Sequence, residues 1–448
     1  MRPSWLVLPD DPDYVWTRRR YVGRHDRLAG AVARCRTPQD VSAALAYARE
    51  RGWQVAVRSS GHSYADHSST GGMLIDLSAM RDVVLESSAV TVGSGQTLGR
   101  LSDELARHGR LVPSGSCPTV AIGGIALAGG FGFRGRLHGL TTDQLIRATI
   151  VLADGVITTV DESRDAELFW ALRGAGAGNF GVVTDLTLRT FPLTALHGLY
   201  ARWPLAHAVT VLDAWQHWAP YLPDESTVEA YLVASDYDDE PAHVEIWGVT
   251  PDAGLLAEAL GLIGVPPEKS RGFALSPADA ARYLCGWMIR ENEPLWVPDG
   301  PFDRPAHAYV KSEFFSYVVP ASALAELAES LVAQRVYGEY RDVEFTPWRG
   351  AYARGQGAFI HRDPHALISH TVLNGANATP ERLRGAESWL ARSHAALHQY
   401  GNGHVYQGYP DPHLPDWEHA YYGHHARRLR AVKSKYDPDA VFTFAQSL

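Results

Sequence analysis

The loop Arg58-Ser59-Ser60-Gly61-His62-Ser63 follows an apolar stretch, and its residues decide the interpretation of the whole chain. Small residues let backbone N–H groups turn toward an anion, and Arg58 adds positive charge. We interpret the loop as a pyrophosphate-binding turn at the end of a strand, with His62 projecting toward the ligand. The alternative is a tight strand-to-helix turn that carries a surface histidine.

A second loop, Gly115-Ser116-Cys117-Pro118-Thr119-Val120, leads into a glycine-rich segment. Five glycines over residues 123–132 are too many for a regular helix or strand, so we expect a flat ligand to pass close to this backbone. A lone cysteine is usually a small buried apolar residue. The surroundings of Cys117 instead expose its thiol to chemistry.

A third glycine cluster contains Gly176, Gly178 and Gly181, which match the pattern G-x-G-x-x-G. The dinucleotide-binding fingerprint requires a strand before this pattern and a helix after it. Here a predicted helix over 168–172 precedes the glycines and a predicted strand over 182–188 follows them. We therefore reject a Rossmann site and expect a turn against a cofactor or between layers.

Hydrophobic periodicity predicts an α+β fold of two domains. In the first half it predicts helices over 37–52 and 98–105, strands over 54–57 and 73–77, and a hairpin over 146–160. In the second half it predicts strands over 244–249 and 308–314 and helices over 323–331 and 383–397, with a tail helix over 426–432. Residues 1–196 form the first predicted domain, and the family resemblance given below assigns the tail, 405–448, to it. Residues 197–404 form the second, an antiparallel sheet flanked by helices.

The composition excludes several classes of protein. The chain has 448 residues with 41 Lys+Arg and 50 Asp+Glu, a net charge of −9, which argues against nucleic acid as a partner. The short patch Arg18-Arg19-Arg20 is interpreted as a solvated surface. We find no run of 18 apolar residues of the kind that would indicate a membrane span. We also find no apolar stretch near Met1 that would indicate a signal peptide, so we expect a cytoplasmic protein.

We expect neither disulfides nor a metal centre. The three cysteines, Cys35, Cys117 and Cys285, lie far apart. Asp363-Pro364 interrupts the histidines of 361–370, and no His-x-x-x-His spacing on a clear helix is identified.

Together the loops resemble the vanillyl-alcohol-oxidase superfamily with its PCMH-type FAD-binding domain. More narrowly, they resemble its berberine-bridge-enzyme-like, oligosaccharide-oxidase-like branch. The resemblance covers nearly the whole chain. Besides the first two loops, it rests on the following stretches: Gly135-Arg136-Leu137-His138-Gly139-Leu140-Thr141-Thr142-Asp143, Gly178-Asn179-Phe180-Gly181-Val182-Val183, Tyr421-Tyr422-Gly423, Tyr436-Asp437-Pro438-Asp439 and Gln446-Ser447-Leu448.

The resemblance implies an FAD bound covalently, with His62 on the flavin 8α-methyl carbon and Cys117 on ring carbon C6. Imidazole and thiolate are suitable nucleophiles for an electrophilic ring. His138 is expected beside the flavin N1 and C2=O, and Val120 on the oxygen-access path, where its modest size admits dioxygen. The remaining expected cofactor-binding residues are Arg58, Ser59, Ser60, Gly61, Ser63, Gly123, Gly124, Gly130, Gly178, Val182 and Tyr409.

By the same resemblance, Tyr406 is the candidate catalytic base, in the stretch Tyr406-Gln407-Gly408-Tyr409. The family pattern is Tyr-x-Asn-Tyr, and this chain departs from it at Gly408. Tyr352 and a strand carrying Tyr309, Lys311 and Glu313 supply rival candidates. Strand alternation puts the last three on one face, which either lines the flavin or is the solvated side of the sheet.

The predicted activity is that of an FAD-dependent oxidase acting on a small molecule. Hydride passes from the substrate to flavin N5, and dioxygen reoxidises the flavin to give hydrogen peroxide. The expected reaction is a secondary-metabolite tailoring oxidation, with carbohydrate oxidation to a lactone as the alternative. A dehydrogenase that uses another electron acceptor and a flavin-binding protein without turnover also remain open, as does the oligomeric state.

Overall fold

We describe the protein from a computed structural model, covering residues 2–17, 27–236, 240–286 and 307–448. The patch Arg18-Arg19-Arg20 lies outside the described residues. The described part contains helices and largely antiparallel sheets, so the predicted α+β class is confirmed.

The first domain contains two main sheets. The smaller has the order β1-β2-β4-β3, with β2, β4 and β3 parallel, and consists of β1 (Leu6–Val7), β2 (Ala31–Arg34), β3 (Val55–Arg58) and β4 (Met73–Asp76). The larger is antiparallel, has the order β5-β6-β10-β8-β9, and consists of β5 (Val83–Leu85), β6 (Ala89–Gly93), β8 (Leu145–Val151), β9 (Ile157–Asp161) and β10 (Val182–Arg189). A short pair joins β7 (Arg110–Leu111) to β11 (Phe191–Pro192). Because β3 ends at Arg58, the first loop begins at the carboxyl end of a buried parallel strand.

The helices of this domain are α1 (Tyr14–Thr17), α2 (Pro38–Glu50), α3 (Leu98–Ala106), α4 (Ile122–Ala128), α5 (Gly135–His138) and α6 (Ala166–Ala175). Helix α2 begins at a capping box, in which Thr37 accepts a hydrogen bond from the Asp40 backbone and the Asp40 carboxylate accepts one from the Thr37 backbone. Helix α6 precedes the third glycine cluster and β10 follows it, as predicted.

One expectation for this domain was wrong. The glycine-rich segment does include a helix, α4, which contains Gly123 and Gly124. A Cβ added at Gly123 would lie 2.6 Å from Ser94 Cβ and 2.9 Å from Ser59 Oγ. The helix therefore tolerates glycine because close packing at this position leaves no room for a side chain.

The second domain is built on a seven-stranded antiparallel sheet of order β15-β12-β14-β13-β17-β18-β16. Its strands are β12 (Leu196–Pro204), β13 (Thr227–Ala234), β14 (His243–Thr250), β15 (Lys269–Leu275), β16 (His307–Phe315), β17 (Glu339–Pro347) and β18 (Ala366–Asn374). Its helices are α7 (Ala208–Trp218), α8 (Ala253–Gly261), α9 (Pro277–Leu284), α10 (Ala321–Val332) and α11 (Pro380–His398). Short 3₁₀ turns complete the chain at Thr141–Gln144, Leu205–His207, Ala219–Tyr221, Gly350–Arg354 and Gly423–His425.

The two faces of this sheet differ in chemistry. One face packs against α7, α10 and α11 in a core that includes Trp203, Trp215 and Trp389. The alternate positions form what we call the polar sheet face, made of Tyr200, Glu229, Tyr231, Glu245, Trp247, Asp342, Glu344 and Ser369. Alternation along each strand thus separates a hydrophobic core from a surface able to form hydrogen bonds.

The tail returns to the first domain through α12 (Trp417–Tyr422) and α13 (Ala426–Tyr436), which pack in the same core as α6. The Lys433 ammonium donates to the carbonyls of Asn179 and Phe442, at 2.6 Å each, and pairs with Asp437 at 2.8 Å. This buried cation fastens the tail to the third glycine cluster. Across the described ranges, no helix combines the length and apolar character needed to cross a membrane.

Candidate active site

A cavity of about 760 Å³ lies where the three glycine-containing loops meet the tail. Its lining includes 59–70 from the first loop, 115–117 and Val120 from the second, and 174–178 from the third. The tail contributes 406–410 and 442–446. Loops far apart in the chain therefore line one space.

His62 and Cys117, the two predicted nucleophiles, lie at the same point of this cavity. His62 Nε2 is 3.0 Å from Thr119 Oγ1, and Cys117 Sγ is 3.5 Å from the same hydroxyl. Thr119 therefore orients an imidazole and a thiol toward a common region. A nitrogen nucleophile and a sulfur nucleophile side by side can attach one ring at two positions.

The lining suits a flat cofactor with a pyrophosphate. Gly124 has no atom within 4 Å of an added Cβ, so the cavity is open above it. Gly61 and Gly178 both have a φ of 79°, a conformation that favours glycine and allows backbone to turn toward a ligand. Ser60 Oγ accepts a hydrogen bond from the Ala121 backbone at 2.9 Å and joins the first two loops. The predicted residues Ser59, Ser63, Val120 and Gly123 also line the cavity.

Tyr406 lines the cavity and is 2% exposed. Its hydroxyl accepts a hydrogen bond from the Gly130 backbone N–H at 2.8 Å. Its ring centroid lies 5.2 Å from that of Phe131 and 5.1 Å from that of Tyr409. Burial raises the pKa of Tyr406, and the Gly130 N–H opposes that rise because it stabilises the phenolate.

Gly408 determines where the Tyr406 ring can lie. A Cβ added at Gly408 would lie 2.4 Å from Tyr406 Cε1 and 2.5 Å from its hydroxyl oxygen. The ring therefore occupies the space of a side chain at position 408. Where the family has Asn, this chain has Gly408, and the missing side chain leaves room for the ring of the candidate base.

The polar sheet face supplies acids that the sequence analysis missed. Tyr231 donates to Glu229 Oε2 at 2.7 Å and lies 3.3 Å from Glu344 Oε1, while Ser369 donates to Glu344 Oε2 at 3.2 Å. Burial and the Glu344 charge raise the pKa of Glu229 to about 8. Burial, followed by the charges of groups that include Glu344 and Glu229, raises the pKa of Tyr409, so this face lies within electrostatic reach of the cavity. The alternation Asp342-Val343-Glu344-Phe345 is the signal that could have indicated it.

Arg58 does not extend into the cavity as expected. Its guanidinium is buried, lies 3.2 Å from Asp76 Oδ2 and donates to the Thr17 carbonyl. A cation that ends a buried strand requires a partner, and the neighbouring strand supplies Asp76. Arg58 thus anchors the base of the loop.

His138 also lies elsewhere than expected. Its ring stacks on Phe191 with centroids 3.9 Å apart, and it is not among the residues that line the cavity. Burial, followed by the charge of Arg134, lowers the pKa of His138 to about 4. Gly130 and Val182 do not line the cavity either; Gly130 acts through its hydrogen bond to Tyr406, and Val182 packs beneath the first sheet.

The rival base candidates on β16 lie on the helix-packed side of the sheet. Tyr309 is part of the core with α7, α10 and α11. Glu313 accepts hydrogen bonds from His398 and Gly403, and Lys311 pairs with Asp411. Neither Tyr309 nor Glu313 lines the cavity, and this face packs against helices, so it matches neither alternative, the flavin lining or the solvated side of the sheet. Tyr352 is also buried away from the cavity, where its hydroxyl contacts Gly132.

The statement that no His-x-x-x-His spacing lies on a helix was also wrong. His394 and His398 are four residues apart on α11, at spacing that puts both on one face.

Comparisons with known proteins agree with this site. Residues 29–161 match a family described as "FAD binding domain", and 405–448 match one described as "Berberine and berberine like". Glucooligosaccharide oxidase of Sarocladium strictum is 37% identical over 94% of this chain and 87% of its own. An uncharacterized FAD-linked oxidoreductase of Bacillus subtilis is 31% identical over 99% of this chain and 97% of its own.

The chain belongs to the berberine-bridge-enzyme-like family of FAD-linked oxidases.

A solved structure of a Physcomitrella patens berberine-bridge-enzyme-like protein agrees with this assignment. It superposes with a TM-score of 0.86 at 25% identity, covering 99% of this chain and 96% of that one. The predicted family, FAD as cofactor and oxidoreductase class are therefore confirmed. As members of this family act on small molecules, the cavity is its candidate cofactor region. The polar sheet face, whose acids act on the pKa of the cavity residue Tyr409, is its candidate substrate region.

Proposed function

We propose that this oxidase acts on a carbohydrate, converting the anomeric hydroxyl of a mono- or oligosaccharide to a lactone with release of hydrogen peroxide. The observation that carries the proposal is the polar sheet face, where carboxyl groups alternate with aromatic rings. Tyr200 and Trp247, for example, have ring centroids 4.5 Å apart and are both partly accessible. Sugars present apolar ring faces and many hydroxyls, and this surface matches both.

We further propose that FAD is linked covalently through His62 and Cys117. Both side chains contact the Thr119 hydroxyl, which holds them at one end of the cavity. A doubly attached ring cannot leave with product, so the substrate side can stay open to long oligosaccharides.

Bound FAD supplies a hydride acceptor for the substrate carbon and transfers the electron pair to dioxygen. In the protein, the phenolate form of Tyr406, which the Gly130 N–H stabilises, takes the proton of the substrate hydroxyl and becomes the neutral phenol. Glu229 and Glu344 bind substrate hydroxyls, with Tyr231 and Ser369 fixing the two carboxyl groups. Val120 lines the cavity close to Cys117 and, by family resemblance, leaves a path for dioxygen.

The secondary-metabolite tailoring oxidation, which the sequence analysis put first, becomes the second candidate. The aromatic group Tyr64, Phe131, Tyr406 and Tyr409 favours it, because edge-to-face rings at 5.1–5.8 Å can enclose a planar polycyclic substrate.

Anaerobic visible absorbance separates the two candidates. The purified yellow protein is mixed without oxygen with oligosaccharides and, separately, with phenolic, amine and polyketide-like alcohols. Bleaching of the flavin band by sugars only, followed by peroxide release on admission of air, supports carbohydrate oxidation. Bleaching by the non-sugars only overturns it in favour of tailoring.

The covalent links have their own test. Acid precipitation of the wild type should leave the flavin in the pellet. His62→Ala and Cys117→Ala should each still retain it through the remaining bond, and only the double variant should release it. Release of flavin from the wild type would refute covalent attachment.

A further inference from the structure

We propose that Glu313, His394 and His398 form a binding site for a divalent transition-metal ion such as Zn²⁺, separate from the flavin cavity. Glu313 lies near the end of β16, and the two histidines lie one turn apart on α11. One ligand atom from each residue falls within 4.8 Å of the other two. The proposal does not depend on the substrate assigned above.

The geometry is close to that of a tetrahedral site. Glu313 Oε2 is 3.2 Å from His394 Nε2 and 2.8 Å from His398 Nδ1. Bonds of about 2.0–2.1 Å at tetrahedral angles set ligand atoms about 3.3 Å apart. Small outward movements at these two contacts would bring them to that spacing, and the ion would replace the protons that now bridge the carboxylate and the imidazoles.

The donor set and its surroundings select the class of ion. Two imidazoles and one carboxylate suit Zn²⁺, Co²⁺ or Ni²⁺, whereas Mg²⁺ and Ca²⁺ prefer oxygen ligands alone. The side chain of Glu313 is 3% exposed, so its charge is held in a poorly hydrated place, while that of His398 is 63% exposed. The fourth coordination position therefore faces solvent and takes water.

A hydrogen bond from the backbone already orients the Glu313 carboxylate. Glu313 Oε1 accepts the Gly403 N–H at 3.1 Å, which leaves Oε2 for the ion. A Cβ added at Gly401 would lie 2.2 Å from Oε1, so glycine is needed for this close approach. The His370 ring lies 5.8 Å from that of His394, and its Nδ1 is engaged with Ser393 Oγ at 2.8 Å.

Occupation of the site would stabilise the segment that leads to Tyr406. The Phe314 N–H donates to the His404 carbonyl, and the Asn402 N–H donates to the Phe314 carbonyl, both at 2.9 Å. An ion bridging β16 and α11 therefore holds residues 402–404 from one side. The expected role is structural, with metal raising the thermal unfolding midpoint of the holoenzyme.

The test uses the flavin-loaded, tag-free full chain after dialysis against a chelator. Isothermal titration with Zn²⁺ should give one site per chain, and titration with Mg²⁺ none. Co²⁺ should produce the visible bands of a tetrahedral complex at wavelengths longer than the flavin absorbance. Zn²⁺ should also raise the thermal midpoint.

Variants assign the site. His398→Ala, at an exposed position, should weaken Zn²⁺ binding by about 100-fold or more, and Glu313→Gln should do the same. The matched control is His108→Ala. It removes an exposed histidine that also lies near a glutamate, with its Nε2 3.7 Å from Glu104 Oε1, but that is not part of the cluster. It should leave binding unchanged. Absence of stoichiometric Zn²⁺ binding, or binding unaffected by His398→Ala, would overturn the proposal even if Glu313→Gln fails to fold.

Discussion

The hydroxyl of Tyr406 can be removed with little change in shape by the substitution Tyr406→Phe. If this hydroxyl is the base, the rate of anaerobic flavin reduction by substrate should fall by about 10²–10⁴-fold, the usual contribution of a positioned general base. The substitution also leaves the buried Gly130 N–H without its acceptor, which should cost about 1–3 kcal/mol of stability.

Tyr352→Phe is the matched control for that stability cost. The Tyr352 hydroxyl contacts the backbone of Gly132, accepting from its N–H at 3.2 Å and donating to its carbonyl at 3.0 Å. It is as buried as Tyr406 but does not line the cavity. Tyr352→Phe should therefore lower stability comparably and leave the reduction rate within a few fold of the wild type.

The assay is stopped-flow absorbance under anaerobic conditions, with thermal unfolding measured in parallel. Because burial raises the pKa of Tyr406, its phenolate fraction grows nearly tenfold for each pH unit below that pKa. The reduction rate should therefore rise steadily with pH, without a plateau below about pH 10, the ordinary tyrosine value. An unchanged rate in Tyr406→Phe, or a flat profile from pH 7 to 9, would refute the role of this residue.

Four further outcomes are expected. Gly408→Ala should lower the reduction rate at least tenfold while FAD is retained, because its Cβ would overlap the Tyr406 ring; an unchanged rate would contradict the steric argument. Val120→Leu should slow reoxidation of reduced enzyme by air and leave anaerobic reduction unchanged, as followed by double-mixing absorbance. Arg58→Leu should cost about 3–5 kcal/mol in urea unfolding because Asp76 is left buried and unpaired, whereas Arg428→Leu, at an exposed pair, should cost under about 1 kcal/mol. Burial holds Glu229 protonated up to a pKa of about 8, so KM for a sugar should rise as pH passes that value; Glu229→Gln, which mimics the neutral acid, should abolish the transition in a KM–pH series.

The same pKa shift has a consequence for stability. A folded-state pKa raised above the unfolded value of an ordinary glutamate means that the native state binds the extra proton. The contribution of Glu229 to the free energy of unfolding is therefore fully present below about pH 4.3 and is lost as pH rises through about 8.

Local patterns predicted the parts of the fold that depend on near neighbours in sequence. Helix α2 was recognisable from its cap at Thr37, and the β8–β9 hairpin from Gly155. The family loops likewise located His62 and Cys117, and the structure brings both to Thr119.

Features set by long-range packing were missed or misread. The direction in which β16 presents Tyr309 and Glu313 depends on which side of the sheet α11 covers, and alternation alone cannot give that side. Arg58 appeared to be a free charge because its partner Asp76 belongs to a strand paired only in the fold. His138 matched a family position in sequence, yet Phe191 determines where its ring lies.

The arrangement of the cavity also constrains the order of assembly. The first loop and the tail segments that face it are separated in the chain by the entire second domain. During synthesis, residues 59–70 and Cys117 emerge long before residues 406–410 and 442–446 can cover them. An enclosed flavin site is therefore a late product of folding, completed only after the tail has been translated.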